Sequence, residues 1–311
     1  MRTPPATWTP LDPPLASWHL PSALRLILRR SVRTGLRLAR RGPLKRPLSR
    51  FSYRPAAAGL SWGLEVVRWR GLNVAVNPGE AHGFHVYFLG DYAGTEIDAC
   101  VDLCRDGDWF ADIGANIGLV SLAVARRRPH VQVLAVEPDP RLCEWLRYNI
   151  SLNPDVAARV HVLQAAATDR DDVVRFLPSQ SPLNAGVGQI FEGSDPGATD
   201  VRGLAIGRHA ESSGRRLSVL KIDVEGGELA ALRGVWTAHS LPRGFIIETH
   251  GFSATDPVAF NRSILDELTA HGYVVTQLDR GRWIPVREPE DIGPRAHLRA
   301  ERPGGEVTAP F

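Results

Sequence analysis

Three cysteines, two lysines and no long apolar run in 311 residues each exclude something. Cys100, Cys104 and Cys143 are too few for a disulfide framework. They also offer too few ligands for a zinc site of their own, and read as small buried apolar side chains. No apolar stretch approaches the roughly 18 residues that a spanning helix needs. No G-x-x-x-x-G-K-S/T occurs, which removes the P-loop reading, and no internal repeat is visible. Lys45 and Lys221 are the only lysines among 37 lysines and arginines. That bias fits a GC-rich bacterial genome, so a bacterial source is expected.

The formal net charge of +3 hides an asymmetry. Residues 1–60 carry 12 basic side chains against Asp12 alone, leaving 25 basic and 33 acidic residues in the rest. Prolines crowd residues 1–21, and a basic amphipathic helix with Ser22 as N-cap is expected over 22–41. Residues 1–59 therefore read as a Pro/Arg-rich arm, residues 60–287 as the main domain, and 288–311 as an irregular tail. The arm either packs on the acidic body, stays solvated, or contacts an anionic membrane surface or an acidic carrier protein. Arginines interrupt every candidate apolar core, so no cleaved signal is expected there.

Short β-like runs at Leu64–Trp69, Gly71–Val76 and Phe84–Leu89 suggest a small N-terminal β extension. A helix over Thr95–Cys104 follows, and then strands alternate with helices. The expected strands are Trp109–Ile113, Val131–Val136, Val160–Ala165, Val173–Phe176, Leu217–Ile222, Gly244–Thr249, Tyr273–Gln277 and, last, Arg282–Val286. The helices are Leu119–Arg127, Arg141–Leu152, Glu228–Val235 and Pro257–His271. Residues 178–203 read as a long connection. Such alternation predicts an α/β fold, a parallel sheet covered on both faces.

Three stretches carry chemistry. In "WFADIGANIGLVSL" an apolar strand ends at Asp112, and a G-x-N-x-G turn through Gly114, Asn116 and Gly118 opens a helix. Open α/β sheets bind nucleotides at such a strand end, but the dinucleotide fingerprint G-x-G-x-x-G does not match. The next strand runs into Glu137, 19 residues beyond Gly118, where a carboxylate can accept the ribose hydroxyls of an adenosine ligand. Asp112 would repel a pyrophosphate and welcome the ammonium of a sulfonium cofactor. In "LKIDVEGGELAALRG", Lys221, Asp223 and Glu225 share one face of a strand end; Lys221 can equally be their ion-pair partner. Glu228 in the next helix's first turn is accounted for by the macrodipole.

The ordered set "FLGDYAGTEID", "DIGANIG", "AVEPDP", "YNISLN", "AAATD" and "LKIDVEGGEL" resembles the FkbM family of S-adenosylmethionine-dependent methyltransferases over residues 84–250. The resemblance implies a Rossmann-like class I methyltransferase fold with a seven-stranded, mostly parallel sheet. It implies O-methyl transfer to a hydroxyl of a small molecule, natural product or glycan. Asp112, Gly114, Asn116 and Gly118 would then form the cofactor's first loop and Glu137 its ribose ligand. Ala166 would offer its backbone to the adenine, and Asp223 and Glu225 would face the methyl group.

For the base that takes the acceptor's proton, the candidates are His250, at the end of "IIETH", and the Asp223/Glu225 pair. His250 reads equally as a loop histidine, and Glu248 as a structural acid. No spacing compels a metal, although Asp223, Glu225 or Glu248 leaves a divalent ion open. The other readings are a catalytically inactive cofactor-binding module and a nicotinamide-dependent dehydrogenase. Nucleic acid is not an expected partner, because the body is acidic and lacks aromatic–basic interleaving. A cytoplasmic location, peripheral to the inner membrane face through the arm, is expected.

Overall fold

The computed structural model describes residues 64–179, 188–191, 193, 195–251 and 254–303. The basic arm of 1–59 lies outside the described residues. Among the described residues no helix is long and apolar enough to cross a membrane. These residues divide into two compact units, one holding 64–94 and residue 179, the other 95–178 and the described residues from 188 onward. That division falls inside the single main domain expected over 60–287.

In the smaller unit, β1 (Glu65–Trp69) pairs antiparallel with β2 (Leu72–Val76). Arg70 and Gly71 between them have φ of 47° and 80°, the left-handed pair that a tight hairpin requires. Helix α1 (Ala81–Phe84) runs straight into a π-helical turn, His85–Leu89. A β-like run was expected there, because His-Val-Tyr-Phe-Leu has strand propensity. The wide turn instead buries Val86, Tyr87 and Phe88 together, and Phe84 meets Phe88 four residues on, ring centroids 5.0 Å apart.

The larger unit opens with α2 (Gly94–Leu103), from its second residue, and β3 (Trp109–Ile113). Then come α3 (Leu119–Arg127), β4 (Gln132–Glu137), α4 (Pro140–Ser151), α5 (Pro154–Ala157) and β5 (Val160–Gln164). A side sheet follows, built from β6 (Ala166–Ala167), β7 (Asp172–Leu177), β8 (Gln189–Ile190) and β9 (Thr199–Leu204), in the order β6-β9-β7-β8. The chain continues through α6 (Ile206–Ser212), β10 (Leu217–Ile222), α7 (Glu228–Val235), β11 (Gly244–His250) and α8 (Pro257–Ala270). It ends with β12 (Val274–Asp279), β13 (Arg282–Pro285) and β14 (Arg295–Glu301).

The main sheet has the order β13-β12-β14-β11-β10-β3-β4-β5. Strands β5, β4, β3, β10 and β11 are parallel, and β14 enters antiparallel between β11 and β12. The order reverses between β3 and β10. With right-handed crossovers, that reversal sends successive helices to opposite faces. It also opens a crevice at the carboxyl ends of those two strands. Ala111, Ile113, Leu134, Leu220, Ile222, Phe245 and Leu298 belong to the buried core around this sheet.

Four expectations are corrected here. Residues 178–203 contain β9, which pairs with β7; only its last two residues are buried, so its sequence carries no apolar run. The tail from 288 is not irregular throughout, and Arg282–Val286 is not the last strand: β14 lies inside the sheet, making eight strands rather than seven. Its period-2 signal is carried by small and single residues, with Leu298 and Ala300 inward among arginines and a histidine. Leu298 is wholly buried. Leu298→Ala should therefore cost about 2–5 kcal/mol in urea unfolding; a loss under about 0.5 kcal/mol, typical of surface positions, would show that β14 is not part of the core.

Candidate active site

The first loop is shaped by what lies behind it. Gly114 has φ of 78°, and a Cβ there would stand 1.8 Å from the Asp223 carbonyl oxygen. The Asp223 N–H donates to the Ile113 carbonyl at 3.0 Å. The glycine turn after β3 and the acidic loop after β10 are thus packed backbone to backbone at the crevice. Gly118, at φ 86°, starts α3 where a Cβ would stand 2.1 Å from Leu146 Cδ1 of α4. The Asn149 side chain of α4 donates to the Ile117 carbonyl at 2.9 Å, tying the loop to the "YNISLN" helix.

Glu137, buried at the end of β4, closes this half. Its Oε2 accepts from the Asn116 N–H and its Oε1 from the Asp139 N–H, both at 2.9 Å. Burial pushes the carboxyl up to about 7, against the pull of those two bonds. Each oxygen keeps a second lone pair for another donor. Ala166 sits in β6, buried, opposite Gly203 of β9. The preceding Ala165 N–H donates to the Glu137 carbonyl at 3.1 Å, so the chain beyond β5 stays close to the end of β4.

Asp112 is wholly buried and turned inward: Oδ2 accepts from Ser121 Oγ at 2.6 Å, and Oδ1 lies 3.7 Å from Lys221 Nζ. Burial raises its pKa, with Lys221 pulling the other way. Lys221 Nζ donates to Asp223 Oδ2 at 3.0 Å and lies 3.7 Å from Glu96 Oε1 of α2. Of the two carboxylates expected to pair with Lys221, Asp223 does, joined by Asp112 and Glu96.

His250 is wholly buried at the end of β11. Its Nδ1–H donates to Glu228 Oε1 at 2.6 Å, which leaves Nε2 as the basic nitrogen of the neutral ring. Nε2 lies 3.4 Å from Glu225 Oε2 and 3.8 Å from both Asp223 Oδ1 and Glu248 Oε1. Burial lowers the imidazole's pKa, but the bond and charge of Glu228, then Glu225 and Asp223, raise it further. Asp223 and Glu225 are each 19% exposed, so an entering molecule meets these carboxylates before the imidazole.

Sequence reasoning brought His250, Asp223 and Glu225 to one place, and the structure assembles them. It passed over Glu228, whose position at a helix start had its own electrostatic explanation. It gave no role to Glu96, although that residue lies in the "FLGDYAGTEID" segment. Arg295, whose Nε donates to Glu248 Oε1, and His297 fell in the supposed tail.

A doubly wound sheet with β5-β4-β3-β10-β11 parallel, a glycine turn after β3 and acids closing β4 and β10 make a Rossmann-like fold of the class I methyltransferase type. The chain belongs to the FkbM family: the model of the methyltransferase FkbM domain matches residues 112–275. Methyltransferase sdnD of Sordaria araneosa is 28% identical over 220 residues, covering 60% of this chain and 82% of that protein. Methyltransferase 1 of Beauveria bassiana is 26% identical over 162 residues, 46% of this chain and 65% of that protein. Both relatives are fungal, and neither speaks for the expected bacterial source. Among solved structures, methyltransferase FkbM from Methylobacillus flagellatus is 20% identical with a TM-score of 0.42, covering 64% of this chain and 45% of that one. A SAM-dependent O-methyltransferase from Thermotoga maritima is 13% identical with a TM-score of 0.41, covering 76% and 77%.

Proposed function

We propose that this methyltransferase takes its methyl group from S-adenosylmethionine and delivers it to a hydroxyl of a small molecule, natural product or glycan. The observation that carries the reading is the buried His250, oriented by Glu228 and faced by two partly exposed carboxylates at the sheet's switch point. The residues also suit the cofactor. Glu96, Asp112, Asp223, Glu225, Glu228 and Glu248 form one linked network around Lys221, His250 and Arg295. Six carboxylates against two permanent cations favour a cationic ligand over a pyrophosphate. In this reading the remaining lone pairs of Glu137 accept the ribose hydroxyls, the loop through Gly114, Asn116 and Gly118 holds the cofactor, and the backbone around Ala166 meets the adenine; the support is that Asn116 and Ala165 both hydrogen-bond to Glu137.

Bound there, S-adenosylmethionine supplies a methyl group already activated on sulfur. The chain's own task is alignment, water exclusion and management of one proton. Asp223 and Glu225 receive the acceptor hydroxyl and orient its oxygen. The proton released as that oxygen forms its new bond passes to His250 Nε2, and Glu228 steadies the resulting imidazolium through Nδ1–H. Wholly buried Asp112 contributes through Lys221 and Ser121, by fixing the charge arrangement beneath the loop.

Methyl-labelled cofactor incubated with hydroxylated acceptors, sugars included, tests the reading. Label recovered in a base-stable methyl ether supports it. Label in a base-labile ester, or on nitrogen, would contradict transfer to a hydroxyl.

A further inference from the structure

Glu96 of α2, Glu248 of β11 and His297 of β14 converge from three elements behind the cleft. Glu248 and His297 are directly opposed across the antiparallel β11–β14 pair, so their side chains share a sheet face. One ligand atom from each of the three residues lies within 4.8 Å of the other two. We propose that these three side chains form a buried binding site for one first-row divalent transition-metal cation.

The second observation is Glu96 itself. The residue is 6% exposed, and its Oε1 is buried with no hydrogen-bond partner among the described residues; Nδ1 of His297 is in the same condition. Lys221 Nζ, at 3.7 Å from Glu96 Oε1, is beyond hydrogen-bonding range. A buried carboxylate oxygen without a donor is costly, and the surrounding network carries more carboxylates than cations. Arg295 already donates to Glu248 Oε1, so what is missing is a partner for Glu96 Oε1 and His297 Nδ1, and it can be a proton or a metal. Three ligand atoms converging from three elements favour the metal, since a proton joins only two groups, and carboxylate oxygens with an imidazole nitrogen suit Zn²⁺, Mn²⁺ or Fe²⁺. Mg²⁺ and Ca²⁺ favour all-oxygen sites. Ligand bonds of about 2.0–2.2 Å require the three side chains to draw slightly inward. A cation so held clamps α2 to β11 and β14, two residues from His250 along β11, and leaves His250 to the cleft.

The set Asp223, Glu225 and His250 also brings ligand atoms within 4.8 Å, so the test must separate the two. The full chain, stripped with chelator, is titrated with Zn²⁺, Mn²⁺ and Mg²⁺ in equilibrium dialysis with elemental analysis. One equivalent of Zn²⁺ or Mn²⁺ should bind, with Mg²⁺ far weaker. Glu96→Gln and His297→Gln should each weaken binding by about a hundredfold or more, beyond the ten- to hundredfold typical of outer partners, while Asp223→Asn leaves it intact. Absence of stoichiometric binding, binding that survives both glutamine variants, or binding lost in Asp223→Asn overturns the proposal. Should a glutamine variant fail to fold, imidazole nitrogen NMR of the unaltered protein decides. The His297 resonance should move on metal addition and that of His250 should not; the reverse overturns the assignment.

Discussion

Replacing His250 by alanine is expected to lower single-turnover methyl transfer by about 10²–10⁴-fold, the usual range for general-base catalysis, while cofactor affinity stays nearly unchanged. The split follows from placement. His250 stands at the end of β11, bonded to Glu228 at 2.6 Å and facing Glu225 and Asp223. Asn116 and Glu137, the groups proposed to face the cofactor, are held at the ends of β3 and β4. Glu228→Gln keeps a hydrogen-bond acceptor for Nδ1–H but loses the charge that steadies the imidazolium, so it should fall between the parent and His250→Ala. A His250→Ala protein with normal turnover would move the proton to the Asp223/Glu225 pair. Equal losses of turnover and cofactor affinity would make His250 a structural residue.

The second large effect is on stability. Gly114→Ala adds a Cβ that meets the Asp223 carbonyl oxygen at 1.8 Å, at a φ of 78°. Two backbone segments, neither able to rotate aside, would have to separate. The left-handed conformation alone costs roughly 1–2 kcal/mol, and overpacking typically adds about 1–3 kcal/mol. For a protein of about 5–15 kcal/mol total stability that is a large fraction. Gly107 supplies the control: its φ is 85°, yet a Cβ there meets nothing within 4 Å, so Gly107→Ala should show the backbone cost alone. Urea unfolding of both variants makes the comparison. Equal losses would show that the loop after β3 is not packed on the β10 loop.

The apolar strands and the helices between them were legible because periodicity and glycine punctuation agreed. Trp109–Ile113, Leu119–Arg127, Leu217–Ile222 and Glu228–Val235 have the same bounds in the sequence reading and in the structure. The misses share a physical cause. β14 and β9 are held by ladder hydrogen bonds and a few inward residues, not by an apolar run, and the π turn at His85–Leu89 satisfies a strand-like composition with helical packing. In the site, residues at strand ends were readable because the sheet's carboxyl edge collects function. Glu228 was hidden by a sufficient local explanation. Glu96 was hidden because only the packing of α2 brings it to Lys221.

The most direct measurement is a calorimetric titration with S-adenosylhomocysteine, repeated at pH 6 and pH 8 on the parent chain and on Glu137→Ala. A charged hydrogen bond to a ribose hydroxyl is worth roughly 1.5–3 kcal/mol, so the variant should bind about tenfold to a hundredfold more weakly. The Glu137 carboxyl, raised to about 7 in the folded chain, favours folding below its unfolded value and loses that contribution as pH rises through 7. Hydroxyl donors favour its ionised form, so the parent chain should bind about tenfold more weakly at pH 6 than at pH 8, and the variant should lose that dependence. Equal affinity in parent and variant, or tight binding of a nicotinamide dinucleotide with none of S-adenosylhomocysteine, would contradict the placement of the cofactor at the ends of β3 and β4.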